Sequence, residues 1–141
     1  MSEASCDACG YDPSLPVRLV GELTLHLSWP SQNQLGANAR GFAGIKYRKA
    51  RQEFAAALHQ ALSERVVAGA DTKRRLWLRR VYRPGKRAYD EANLVGGGKA
   101  VVDVLVARGL LKDDSPKWFE GIYQQVPGDA DAIVLTIYDI L

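Results

Sequence analysis

No stretch of the sequence approaches the roughly 18 consecutive apolar residues that a membrane-spanning helix requires. The opening segment "MSEASCDACGYDPSLPV" lacks the basic and apolar blocks of a secretory signal, so the expectation is a cytoplasmic protein with no membrane partner. Cysteine is scarce: Cys6 and Cys9 are the whole supply. They form one C-x-x-C, half of the four-ligand set of a structural zinc site, and a reducing cytoplasm disfavours a disulfide. Three readings of the pair stay open: ordinary tail thiols, a metal half-site completed by a second subunit, and a redox pair lacking the βαβ context it needs. Neither an internal repeat nor a low-complexity tract is present.

The 141 residues that are there, 47% of them hydrophobic, suffice for one domain with a real core and are too few for two. The net charge is only +3, yet eight of the nineteen basic residues fall between Lys73 and Arg87: Lys73, Arg74, Arg75, Arg79, Arg80, Arg83, Lys86 and Arg87. Four more lie between Lys46 and Arg51. Clustered cations suit a polyanion, because each one placed on a phosphate releases counterions. A solvated face is the plainer reading, and the run's direct passage into an acidic segment argues against it.

Residues 1–16 read as a flexible leader, and 17–141 as the domain. From Val17 the pattern alternates through Leu19, Leu23, Leu25, Leu27 and Trp29, with one slip near Gly21, which predicts a half-buried strand ended by Pro30. "PSQNQLGANARGFAG" reads as a long loop. Lys46 to Ala68 has helical period, with Phe54, Ala57, Leu58, Ala61, Leu62 and Val66 on one side and Gly69 as the stop. "TKRRLWLRRVYRP" reads as a strand, Gly98 to Arg108 as a short helix, and "KWFEGIYQQV" and "AIVLTIYDI" as a β-hairpin joined by "PGDAD". The order β-α-β-α-β-β predicts an α+β domain, a mixed sheet with two helices packed on it.

The stretch "RAYDEANLVGGGKAVVDVL" is the chemically dense one. A P-loop is excluded, since Asn93 stands where its first glycine belongs and Ala100 where its hydroxyl belongs. Metal-assisted phosphodiester chemistry is the better fit. Magnesium is held mostly by carboxylates, and Asp90 and Glu91 lie on one expected loop with Asp113 and Asp114 on the next. Each pair also has an ordinary role, as helix cap or turn. Asp103 shares a helix face with Lys99, four residues earlier, and is expected to orient it through a local ion pair.

These residues resemble the RusA family of phage and prophage Holliday junction resolvases. The family carries a basic run, an Asp-x-Asp-Asn-Leu motif, a lysine opening a short apolar helix with an acid one turn on, and Asp-Asp closing the following loop. Here those elements are "KRAYDEANL", "KAVVDVLVARGLL" and "KDDSPKW", and "WPSQN" is similar to a further family loop. The resemblance spans about Leu23 to Tyr138. It implies a homodimer that binds four-way DNA junctions and nicks them with one or two Mg²⁺ ions per subunit. It also implies Asp90, Asp114 and Lys99 as catalytic residues, Asp90 and Asp114 as metal ligands, Asn93 as motif support and Asp113 as a neighbour.

The sequence departs from the family pattern at two points. "LVGGG" lengthens the connection between Asn93 and Lys99, and reads as a flexible link. Ala92 replaces the second motif aspartate, and a methyl group ligates no metal. Glu91 substitutes for it only if the loop bends, because neighbouring side chains of an extended loop point to opposite sides. The alternative function is a catalytically inactive, structure-selective nucleic-acid-binding protein, with Trp77, Tyr82 and Tyr89 interleaved among the cations for base stacking.

Overall fold

A computed structural model describes residues 14–29 and 42–141; Cys6, Cys9 and the segment beginning at Pro30 lie outside the described residues. The elements are β1 (Val17–Leu25), α1 (Phe42–Glu64), β2 (Arg74–Tyr82), α2 (Glu91–Ala107), β3 (Phe119–Pro127) and β4 (Ala132–Ile140). The expected order and α+β class are what the fold shows. The four strands form one mixed sheet in the order β1-β4-β2-β3, with β2 and β3 parallel and the other neighbours antiparallel.

Residues paired in register share a face of a sheet, so the pairings sort the side chains. One face carries Leu23 and Leu25 of β1, Ile133, Leu135 and Ile137 of β4, Leu76 and Leu78 of β2, and Phe119 and Tyr123 of β3. Phe54 and Leu58 of α1 and Leu94, Val101 and Leu105 of α2 close over this face in a single core. The slip near Gly21 is a register shift: Leu19 pairs with Tyr138 and Gly21 with Ile137, leaving Val20 as the extra residue of a bulge.

Three expectations are corrected. The two C-terminal strands are not a hairpin, because β2 lies between them: Val81 pairs with Val126 on one side and Ala132 on the other. The linker crosses the end of β2, where Gly128 donates its N–H to the Tyr82 carbonyl at 2.9 Å. A Cβ at Gly128 would collide with the Val81 side chain, so this crossing requires glycine.

Helix α1 starts at Phe42 and ends at Glu64, about one turn earlier at each end than periodicity predicts. Val66 therefore falls outside the helix and is 91% exposed, while Val67 is buried in its place. Helix α2 is much longer than expected. It starts at Glu91, so that the expected acidic loop is its first turn and the three glycines are helical. Among the described residues no helix is long and apolar enough to cross a membrane.

Candidate functional site

The motif residues are arranged by α2. Asp90 is its N-cap, with extended backbone, and its Oδ1 accepts the Asn93 N–H at 2.7 Å. A carboxylate there satisfies one of the unpaired first-turn donors and faces the positive end of the helix dipole. Glu91 and Ala92 are exposed on that first turn.

Glycine costs a helix about 1 kcal/mol relative to alanine, so glycines inside α2 need a reason. Packing supplies it at Gly98: a Cβ would stand 2.6 Å from Tyr123 Cε1 and 3.0 Å from the Trp29 ring. The two rings meet edge to face at 6.3 Å, and Trp29 Nε1 donates to the Leu94 carbonyl at 3.0 Å. Gly98 is thus the point where two aromatic rings dock on α2.

Lys99 follows, its side chain 63% exposed and its Nζ 3.7 Å from Asp103 Oδ1. Tyr47, from α1, donates its hydroxyl to Asp103 Oδ2. Burial first, then the hydrogen bond and charge of Asp103, push the Tyr47 phenol well above its usual range, and Asp114 adds to the effect. Tyr47 therefore braces the acid that pairs with Lys99. Nothing in its spacing marks it, since α1 and α2 are brought together only by the core.

Asp113 is exposed, and its carboxyl is held below the usual range by the Ser115 hydroxyl and by the N–H groups of Asp114 and Ser115. Asp114 is exposed beside it. Among the described residues no group of three or more His, Cys, Asp or Glu is placed to hold a metal ion. Asp90 engages the first turn of α2, and the charge of Asp114 acts on Tyr47. Ala92, between Glu91 and Asn93, supplies no carboxylate to the first turn.

The basic run departs furthest from expectation. Arg74 is 1% exposed; its guanidinium pairs with Asp139 at 2.9 Å and donates to the carbonyls of Ala68, Gly69 and Leu110. Arg75 is buried against Glu120, which Lys73 also approaches. Arg80 is buried between the Tyr82 and Tyr89 rings and donates to the Arg87 carbonyl and Gln125. Their burial removes Arg74, Arg75 and Arg80 from any surface that meets DNA, and commits Tyr82 and Tyr89 to Arg80.

Arg79 stacks on Trp77 with its carbon 4.4 Å from the ring centroid and pairs with Glu22. Arg83 and Lys86 both reach Asp131, whose carboxyl the Arg83 N–H holds down at about 2. Arg87 is exposed. A strand that alternates arginine with apolar residues reads as a cationic stripe, but the acids that neutralise it come from β1, β3, β4 and the β3–β4 linker. No protein-family model matches the chain, and no curated protein sequence matches it.

Proposed function

We propose that the chain is a RusA-type protein that binds four-way DNA junctions as a homodimer in the cytoplasm. In this reading its nuclease chemistry is curtailed at Ala92. The observation that carries it is the single helix α2 that presents the motif in order: Asp90 as cap, Asn93 in the first turn, and the exposed Lys99 paired with Asp103. Exposed Arg87 leads directly into that helix. Lys99 and the first-turn N–H groups are donors suited to a phosphate oxygen.

Magnesium, when bound by a complete carboxylate set, polarises a phosphodiester and activates water. Asp90 and Asp114 are what remains of that set here, so binding outlasts cleavage. The test is fluorescence anisotropy of labelled DNA without metal. A four-way junction is expected to bind at least about tenfold more tightly than a linear duplex of equal length, with affinity falling steeply as salt rises. Equal affinity for the two would sink the junction reading.

A further inference from the structure

The cations best placed to meet nucleic acid are not in the arginine-rich strand. Most of that run is paired: Lys73 and Arg75 with Glu120, Arg74 with Asp139, Arg79 with Glu22, Arg83 and Lys86 with Asp131. The shorter cluster, on α1, is arranged differently. Arg48, Arg51 and Gln52 share one stripe of α1, and across the seam between the helices stands Arg108, at the C-terminus of α2. Together they line an open groove of about 360 Å³ over Ala55 and Val104.

Among the described residues no acid lines this groove. Among the described residues none of the three guanidinium groups has a carboxylate partner, and all three residues are exposed. The nearby Asp103 is occupied by Tyr47 and Lys99, and Glu53 lies on the other flank of α1, in the cavity with Lys46 and Lys49. Three unneutralised cations across a trough repel one another, and a bound polyanion relieves that repulsion.

We infer that the groove between α1 and α2, lined by Arg48, Arg51 and Arg108, is the surface that grips the DNA phosphate backbone. It reads phosphates without reading sequence, because guanidinium forks match phosphate oxygens and phosphate contacts carry no sequence information. This rests on the proposed DNA-binding function and names the face that performs it.

The experiment compares the full chain with the triple variant Arg48→Gln, Arg51→Gln, Arg108→Gln, and with Arg83→Gln, Lys86→Gln as the counterpart in the neutralised run. Anisotropy with a four-way junction and a duplex, measured across a salt series, gives affinity and slope, and thermal melts check folding. The triple variant is expected to melt like the parent, bind at least about tenfold more weakly, and show a log–log salt slope shallower by about 2 to 3, near 0.9 per lost phosphate contact. The counterpart pair is expected to change the slope by less than about 1.

A folded triple variant with the parent's affinity and slope overturns the groove while leaving junction binding intact. Binding to duplex and junction alike, lost in the triple variant, supports the groove and removes the junction preference. A parent that binds neither DNA at low salt overturns both.

Discussion

Arg74 Nε lies 2.9 Å from Asp139 Oδ1, and the two residues face each other across β2 and β4 on the helix-covered face of the sheet. The same guanidinium donates to carbonyls in the segments that follow α1 and α2. One side chain thus ties both helix exits to the central strand.

Arg74→Ala should be among the most destabilising single changes in the chain. It leaves a buried carboxylate with only Arg18 and strips three carbonyls of a donor, a loss of about 3–5 kcal/mol. Arg87→Ala, on an exposed side chain, should stay within about 0.5 kcal/mol. Urea melts of the two variants provide the check, and similar midpoints would contradict the structural role of Arg74.

Acid should loosen the fold through Asp131 and Asp139. The Arg83 N–H first, then Ser28 and Lys86, outweigh burial and hold the Asp131 carboxyl at about 2 against an ordinary 3.8. Burial raises Asp139, but the hydrogen bonds and charges of Arg18 and Arg74 leave it lowered. Groups depressed on folding contribute stability that is complete above the unfolded value and is lost as pH falls through the folded one. For Asp131 that window runs from about 3.8 down to about 2. Asp131→Asn should flatten this part of the stability–pH curve, and an unchanged acid slope would count against the assignment.

Gly98→Ala tests why α2 tolerates glycine. On propensity alone the change would stabilise the helix by about 1 kcal/mol. The 2.6 Å approach to Tyr123 reverses the sign, with an expected loss of about 1–3 kcal/mol from overpacking. A raised melting temperature would mean the rings move aside freely.

Ala92→Asp restores the motif carboxylate at an exposed site in the first turn of α2, where negative charge is favoured by about 0.3–1 kcal/mol. The variant should be at least as stable as the parent. Magnesium should raise its melting temperature and its cleavage of a four-way junction by orders of magnitude over the parent. If magnesium shifts neither, position 92 has no part in metal binding.

The element order and the α+β class were legible because apolar periodicity records which face of each segment is buried, as Leu23 and Leu25 on β1 and Phe54 and Leu58 on α1 do. The β-bulge was legible as a broken alternation beside Gly21. The start of α2 was not: three consecutive glycines oppose a helix locally, and the rings of Trp29 and Tyr123 that call for glycine at Gly98 are distant in sequence. The strand order was hidden too, since "PGDAD" serves a hairpin or a crossing over β2 equally well.

What the sequence determined by itself is which residues are cations, acids and apolar anchors, and in what periodic order they meet. Which charges remain available was decided by the tertiary structure. Sheet register sets Asp139 against Arg74 and Glu120 against Arg75, and helix packing brings Arg108 opposite Arg48 and Arg51 with no acid between them among the described residues. A charge's effect depends on its neighbours in space, and those neighbours lie on other elements of the chain.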